Sequence, residues 1–388
     1  MSDSNRVEIG YILETTPGQT PATPELKELR FTSESLNNNI QNVTSSEIRS
    51  DRQVTDLVQV AAENAGDING EMSYETFDDF FIAALMGTAY STAISLSAAS
   101  DIAADATGFT ATTSDFTAIE LTIGQWFRVE GFVDTTINTY YQALTIAALD
   151  LNTTPVPLAT EAAGPSITFK GQTVKNGTDI DAFTIEKSFL DITQFHQFLG
   201  CQINTFSISL AAQEISTVTF GFLGRTATRD TSTIDNDSTY TAANTNPVMN
   251  GVSDVKAVYE NGNLLSTTNC LQSITVDLNN NLRQINCVGK LGLSGIGTGK
   301  ADVTGTFTAY FDDEIFYEDY LNSTETSLAF VIEDSDGNAY VFDLPRVKFE
   351  SGVVVAGGQD QDVVAEIGFR ALRDATFLYT YAINKVPV

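Results

Sequence analysis

Basic residues are scarce in this chain of 388 residues, which has 20 lysines and arginines against 50 aspartates and glutamates. The formal net charge is therefore −30 at pH 7. Because no ordinary basic patch could offset that excess of acid, tight binding to nucleic acid is not expected.

Histidine is nearly absent, since His196 is the only one. Ser-His-Asp and Cys-His arrangements therefore have one possible base. Because His196 lies between Phe195 and Phe198 in a strand-like run, the sequence favours a packed or surface histidine over a catalytic one.

Cysteine and long apolar runs are also scarce. Cys201, Cys270 and Cys287 fit no metal-ligand spacing and leave one thiol unpaired, so we predict buried thiols in a chain that folds in a reducing cytosol. The longest apolar candidate, residues 80–99, is interrupted by polar residues and glycine, which excludes a membrane-spanning helix. The first residues, MSDSNRVEIGYILETT, lack a basic start followed by an apolar run, so we expect no signal peptide.

What the chain does have is apolar and hydroxyl side chains in alternation. Apolar residues make up 42% and charged residues only 18%, a mix typical of β-rich shell-like or thread-like proteins. Alternating runs such as NTFSISL, TVTFGF, SITVDL and DVTGTFTAYF predict strands. Helices are predicted at residues 74–90, with Glu75, Asp78 and Asp79 near the start, and at residues 312–322.

An internal duplication is the most informative pattern in the chain. SLNNNI at residues 35–40 corresponds to DLNNNLR at residues 277–283. Gly70 then corresponds to Gly305, and the acid pair Asp78-Asp79 to Asp313-Glu314. Both repeats close on a glycine flanked by aromatic residues, Gly221 in the first and Gly368 in the second. The same β-β-loop-β-helix-β-β unit is therefore predicted to occur twice.

These patterns predict a mainly β protein of two tandem units, each with one flanking helix, plus a small inserted β-domain. The first unit is discontinuous, at residues 1–93 and 182–225, because the insert with its linkers takes residues 94–181. A polar linker is predicted at residues 226–250, and the second unit at residues 251–388. We expect the insert to lie on the exterior of the assembled protein, and its residues from about 106 to 175 to be dispensable for assembly.

Enzymatic and ligand-binding interpretations are each weaker than a structural one. The acid pairs 78-79, 312-313 and 318-319 could do glycosidase chemistry, but helix starts explain the first two together. Residues 292–302 superficially suggest a phosphate loop, yet Ser294 and Ala301 break the pattern. Residues 333–338, EDSDGN, resemble the start of a calcium loop, but Asp336-Gly337 between two β-runs predicts a hairpin turn.

Aromatic residues cluster in the insert, at Trp126, Phe127, Phe132, Tyr140 and Tyr141. They could bind sugar, but a small β-core is the commoner use of such a cluster. No catalytic, cofactor-binding or metal-binding residues are predicted.

The chain resembles the tail tube proteins of long-tailed bacteriophages. The residues that carry the resemblance are RFTSESLNNN, SSEIRSDRQVTDL and ING-E-SYETFDD in the first half, GQWFRVEGF in the insert, and DLNNNLR, GTFTAYF, LPRVKF, VVAGGQDQDV and GFRALRD in the second half. The resemblance implies a β-sandwich or barrel unit with one helix, whose sheets join across subunits. It also implies a structural virion protein without enzymatic activity or cofactor.

Further expectations follow from the resemblance. Two units per chain imply homotrimeric rings with pseudo-sixfold symmetry, stacked into the hollow siphophage tail tube and assembled in the cytoplasm of the bacterial host. DNA passes through the lumen without tight binding, repelled by acidic side chains. A tape measure protein and a tail terminator are the implied partners. The alternative interpretations are a β-rich surface adhesin or carbohydrate-binding protein, and a carbohydrate-active enzyme.

Two polar loops are candidates for the contact between stacked rings. The first, residues 41–66, carries alternating charges that suit a surface with one complementary register. Its candidate residues are Glu47, Arg49, Asp51, Arg52 and Asp56. The second loop, residues 284–300, carries Lys290 and Lys300.

Overall fold

Strands dominate the computed structural model, which describes residues 3–164, 166–265, 271–311 and 315–388. Two α-helices occur in that part of the chain, α1 at Asp78–Leu85 and α2 at Ile315–Asn322. The prediction of a mainly β protein is therefore confirmed. No helix among the described residues is long and apolar enough to cross a membrane.

The strands follow one another closely along the chain. The first five are β1 (Val7–Leu13), β2 (Lys27–Glu28), β3 (Ser33–Glu34), β4 (Asn37–Thr44) and β5 (Leu57–Glu71). Those of the insert are β6 (Leu96–Ala98), β7 (Ile102–Ala104), β8 (Gly108–Ala111), β9 (Trp126–Glu130), β10 (Tyr140–Ile146), β11 (Asp150–Thr154) and β12 (Ile167–Lys170). They are followed by β13 (Gln172–Lys175), β14 (Phe183–Phe189), β15 (Gln194–Ala211), β16 (Thr217–Gly224) and β17 (Thr226–Asp230).

The remaining strands lie after residue 250. They are β18 (Val255–Glu260), β19 (Asn263–Leu264), β20 (Leu271–Asn279), β21 (Arg283–Ile285), β22 (Gly295–Gly297), β23 (Asp302–Tyr310), β24 (Glu325–Glu333), β25 (Ala339–Ala356), β26 (Val363–Ala371) and β27 (Ala382–Val386). We call β1–β5, α1 and β14–β17 the first unit, and β18–β20, β23–β27 and α2 the second unit.

One antiparallel sheet runs through both units, in the order β4, β5, β16, β15, β20, β23, β26 and β25. The strands β15 and β25 have 18 residues each. The N-terminal part of β15 leaves this sheet to pair with β14 and β17, and that of β25 pairs with β24 and β27. Each unit therefore folds two strand layers over one apolar core, which includes Phe206 and Phe220 in the first unit and Phe307 and Phe342 in the second.

The two units have the same strand register. In the first, β15 has a bulge before Thr205, which then pairs with Gly221; in the second, β25 has a bulge before Ser351, which pairs with Gly368. Register shifts also occur at matching places between β14 and β15 and between β24 and β25. Bulges fix register, so their repetition identifies counterparts residue by residue.

One detail of the sequence alignment is wrong. Gly66 pairs with Phe222, the residue after Gly221, and Gly305 pairs with Phe369, the residue after Gly368. The counterpart of Gly305 is therefore Gly66 and not Gly70. Sequence similarity of short polar runs does not fix strand register, whereas pairing with a bulged strand does.

Helix α1 is shorter than the predicted 74–90. Glu75, with φ 63°, precedes it, and Met86, with φ 51°, closes it in the left-handed conformation. The predicted start of the second helix, including Asp312, Asp313 and Glu314, lies outside the described residues.

The insert forms its own seven-stranded sheet, in the order β6-β12-β9-β10-β11-β8-β7. Phe127, Phe132 and Tyr141 lie in its core. Trp126 and Tyr140 instead pack on the second unit, where Trp126 lies 5.0 Å from Tyr259 between ring centroids. After the insert, β13 pairs with β27 of the second unit. Removing the insert would expose this apolar contact, which argues against its being dispensable.

The polar stretch 226–250 is fastened to the first unit. It begins as β17, the buried carboxylate of Asp235 accepts a hydrogen bond from the Leu26 amide at 2.7 Å, and Arg30 donates to the Asn246 carbonyl at 2.8 Å. Met249 is completely buried. Side-chain to backbone hydrogen bonds hold this stretch, and they leave no apolar periodicity in a sequence.

The prediction of buried thiols holds for Cys201 and is wrong for Cys287, which lies exposed in the polar segment between β21 and β22. Both are free thiols, and burial raises the pKa of Cys201 well above its usual range. Cys270 lies outside the described residues.

Candidate functional site

The outward face of the long sheet carries short polar side chains. Because neighbours along a strand point to opposite faces, the residues between the buried apolar ones share this face. One cross-strand row is Glu71, Thr217, Ser209, Thr275 and Thr306. The next row is Asn69, Thr219, Ser207, Asp277 and Thr304.

The charges on this face are mostly negative. Asp67, Asp277 and Glu366 are exposed carboxylates on it. Arg370 also lies there, but its guanidinium donates to Glu350 Oε1 at 2.6 Å and contacts Asp302. These two carboxylates raise the pKa of Arg370, so the cation is retained and neutralised in place. The face can therefore repel phosphate without a dense layer of acid.

Both ends of the long sheet are open in the described part of the chain. At one end β4 pairs only with β5, and at the other the part of β25 after its bulge pairs only with β26. Open edges present unpaired N–H and C=O groups and are natural sites for pairing with another chain.

We call the β15–β20 pairing, which joins the two units within the chain, the seam; it shows how two such edges pair with each other. Inside the chain β15 pairs with β20, with Thr205 opposite Asn279 and Ser207 opposite Asp277. The counterpart of β15 is β25, and the counterpart of β20 is β4. The two open edges are therefore repeats of the two strands that already pair at the seam.

The first candidate loop, predicted at residues 41–66, is a loop only at residues 45–56, the tip of the β4–β5 hairpin, because both strands extend into the predicted range. All of its candidate residues are exposed. Arg49 pairs with Asp51 at 2.6 Å, and Thr55 donates to Glu47 at 3.1 Å. Arg52 lies in a turn with φ 60°, and Asp56 accepts from the Leu57 amide at 2.8 Å. Apolar side chains are exposed beside them, notably Ile48 and Val54.

The second candidate loop lies against the first unit. The Leu291 carbonyl accepts from the Ala62 amide at 3.0 Å, and the Leu293 amide donates to the Arg225 carbonyl at 3.2 Å. Lys290 and Lys300 are exposed. The two predicted loops therefore meet at residues 62–63 of the first, where the Gln284 side chain also donates to Glu63. Within the described part of the chain no ion pair joins the candidate charges at the β4–β5 tip to Lys290 or Lys300.

The acids of α1 lie in its first turn, but neither caps the helix with its side chain. Asp78 forms an ion pair with Lys385 of the second unit at 2.6 Å, and Asp79 pairs with Lys27 at 2.7 Å. These acids thus form ion pairs with lysines of other elements of the fold, which sequence spacing does not reveal. Asp312-Asp313, the second predicted pair, lies outside the described residues.

The other candidates, His196 and residues 333–338, lie in ordinary strand and turn environments. His196 lies on β15, 5.1 Å from the Phe189 ring. Residues 333–338 form the turn between β24 and β25, where Asp334 accepts from the Asn338 amide at 2.9 Å and Gly337 has φ 90°. The open edges of β4 and β25 were missed from the sequence; the repeated SLNNN and DLNNN runs were the one signal that pointed to β4 and β20 as counterparts.

A family model described as phage tail tube protein matches residues 4–371, which is nearly the whole chain. No curated protein matches it.

Proposed function

Since the chain belongs to the phage tail tube protein family, we propose that it polymerises into stacked rings that form the hollow tail tube of a long-tailed phage, through which DNA is delivered to the host cell. The observation that carries the proposal is the pair of open edges, β4 and β25, that repeat the paired strands β20 and β15.

Ring closure follows from that repetition. The edge of β25 on one chain pairs with β4 of the next, in the register of the internal seam. Ser351 then lies opposite Asn39, and Val353 opposite Asn37, as Thr205 lies opposite Asn279 and Ser207 opposite Asp277 inside the chain. Such a head-to-tail interface closes into a ring when the rotation per subunit divides a full turn. Two units per chain give a homotrimer with pseudo-sixfold symmetry.

The polar face of the long sheet would then line the lumen. Hydroxyl and amide side chains present small groups to passing DNA, while Asp67, Asp277 and Glu366 repel its phosphates over a distance of about 10 Å at moderate salt. The exposed β4–β5 tip, with charges and apolar side chains together, is the candidate for ring-to-ring contact. The subunit would belong to the virion tail, assembled in the host cytoplasm, with a tape measure protein in the lumen and a terminator at the tube end.

Electron microscopy of the concentrated purified protein tests the tube, and native mass spectrometry of isolated rings tests the stoichiometry. We expect long hollow tubes and rings of three chains. Six full-length chains per ring would contradict the trimer, and a protein that remains monomeric at all concentrations would contradict the proposal as a whole.

A further inference from the structure

A groove of about 940 Å³ lies between β4 and β5 on one side and β15 and β17 on the other. We call it the first-unit groove. Its lining includes Ile40, Gln194, His196, Arg229 and Thr231. The groove is open, its lining mixes polar side chains with apolar ones such as Phe198, and no part of the second unit fills it among the described residues.

The corresponding place in the second unit is filled by helix α1. Phe81 lies 5.6 Å from the ring of Tyr340 and 6.2 Å from that of Phe342. At the start of the helix, Lys385 donates to Asp78 at 2.6 Å. At its end, the Asn280 side chain donates to the Ala84 carbonyl at 2.9 Å. Four second-unit residues therefore hold α1, namely Tyr340, Phe342, Lys385 and Asn280.

Each of these four has a counterpart in the first unit. The bulges that align β25 with β15 place Gln194 at the position of Tyr340 and His196 at that of Phe342. Lys385 pairs with Tyr340, and the β15–β17 register, continued one residue past the Phe195–Asp230 pair, places Thr231 at the corresponding position opposite Gln194. The β4–β5 and β20–β23 registers match Asn39 with Asn279, so that Ile40, the next residue, has the position of Asn280. All four counterparts line the first-unit groove.

We propose that helix α2 of a neighbouring copy of this chain occupies the first-unit groove, as α1 occupies its counterpart within the chain. The inference rests on the proposed ring, because pairing of β25 with the next chain's β4 brings α2 to that chain's groove. It follows from order along the chain: α2 comes after β23 and before β24, as α1 comes after β5 and before β14.

The chemistry of the two helices matches their two receptors. Helix α1, DDFFIAAL, buries Phe80, Phe81 and three further apolar residues, and its receptor is aromatic. Helix α2, IFYEDYLN, buries Phe316 but leaves Tyr317 and Tyr320 half-buried and Glu318 exposed. The first-unit groove offers amide, imidazole and hydroxyl groups.

Charge fits as well. Arg229 and Asp230 are both exposed at the groove. The Asp230 carboxylate accepts from the Thr231 amide at 2.6 Å and the Ser232 amide at 3.2 Å. Arg229 is not part of an ion pair in the described residues, whereas α2 carries Glu318 and Asp319. Tyrosine with complementary charge is typical of interfaces between chains that must stay soluble before they assemble.

Cross-linking tests the proposal in the full-length chain, with Cys270→Ser and Cys287→Ser as background. Rings of the Thr231→Cys/Glu318→Cys variant are treated with a short flexible bis-maleimide and analysed by mass under denaturing conditions. We expect covalent dimers and trimers, and none from either single-cysteine variant or from Thr231→Cys/Val133→Cys, whose second cysteine lies exposed on the insert. A seam variant, Asn37→Cys/Val353→Cys, reports ring closure independently.

The outcomes separate the two proposals. Cross-links at the seam without cross-links between Glu318→Cys and Thr231→Cys would overturn helix docking and leave the ring intact. Absence of both would overturn the ring and the helix docking together.

A second experiment reverses the charge at the groove. Arg229→Glu should raise the dissociation constant of the ring at least tenfold at low salt, with a smaller effect at high salt. The exposed control Arg6→Glu should leave the dissociation constant unchanged. An equal effect of both reversals would count against the groove.

Discussion

The two units repeat the same strands and bulges but differ in how their helices are received. The helix of the first unit docks on an aromatic surface of its own chain, through Phe81, Tyr340 and Phe342. The matching surface of the first unit is open and more polar, with Gln194 and His196 in place of the two aromatic residues. An interface made within one chain is buried as soon as the chain folds and can be apolar, whereas the surfaces of one made between chains are exposed on the folded subunit until it assembles.

The insert adds a second asymmetry. It interrupts the first unit in sequence but packs on the second in space, and β13 extends the sheet of the second unit at β27. In the first unit the counterpart of β27 is β17, which pairs with β15. The insert therefore fastens one unit to the other and leaves the first-unit surface open.

Breaking the contact between insert and second unit has the largest expected effect. Trp126 is 2% exposed and packs on Tyr259, so Trp126→Ala should lower the free energy of unfolding by about 3–5 kcal/mol. Urea denaturation followed by circular dichroism measures the loss. The control Leu158→Ala, at an exposed position of the insert, should change stability by less than about 0.5 kcal/mol. A loss below about 1 kcal/mol for Trp126→Ala would mean that the insert is only loosely attached and that the original expectation of dispensability stands.

A buried carboxylate at the same contact sharpens the comparison, because its counterpart in the first unit is the neutral Gln197. Asp343 Oδ2 accepts from Gln142 of the insert at 3.0 Å and from the Tyr379 hydroxyl at 2.5 Å. Burial raises the pKa of Asp343 to about 7 from an ordinary value of 3.8. The folded state thus favours the protonated form. This preference stabilises the folded state fully at pH values below the ordinary pKa of Asp343, and the stabilisation is lost as the pH rises to about 7.

Asp343→Asn should remove that dependence. Between pH 4 and pH 8 the wild type should lose a few kcal/mol relative to the variant, since each unit of pKa corresponds to about 1.4 kcal/mol. Thermal unfolding of both proteins across this pH range measures the difference in stability between them. The contributions of the other carboxylates are the same in both proteins and cancel. A constant difference between wild type and variant at all pH values would show that Asp343 keeps its ordinary pKa.

A smaller effect tests whether the bulges are equivalent. A Cβ at Gly221 would overlap the Thr205 hydroxyl, and one at Gly368 would overlap the Ser351 hydroxyl. Gly221→Ala and Gly368→Ala should each cost about 1–2 kcal/mol, relieved in part by Thr205→Ala and Ser351→Ala respectively. Double-mutant cycles measure the coupling. Coupling at one bulge and none at the other would show that the two units differ where their registers coincide.

Composition and alternation were enough to predict the β class, the repeat and the insert as a compact group of strands, because these depend on local patterns. Register was not predictable: Gly70 was matched to Gly305 where pairing selects Gly66. The docking of the insert was also missed, since Trp126 and Tyr140 look like core residues of a small domain whether their rings face inward or toward another unit. Contacts between distant segments leave no periodicity in a sequence.

The loops provide the smallest effect on stability and the most specific effect on assembly. Arg49→Glu/Arg52→Glu reverses two exposed charges at the free β4–β5 tip, where the Arg49–Asp51 pair is solvated. The folded monomer should be as stable as the wild type, because exposed and solvated charges contribute little to stability. Tube growth should slow or stop, because a loss of about 1 kcal/mol per contact recurs at each loop around a ring.

The matched control is Lys290→Glu/Lys300→Glu in the second loop, which is held against the first unit by hydrogen bonds at Leu291 and Leu293. Tube length measured against protein concentration at fixed salt should fall for the first variant and change little for the second. The reverse order would assign ring stacking to the second loop.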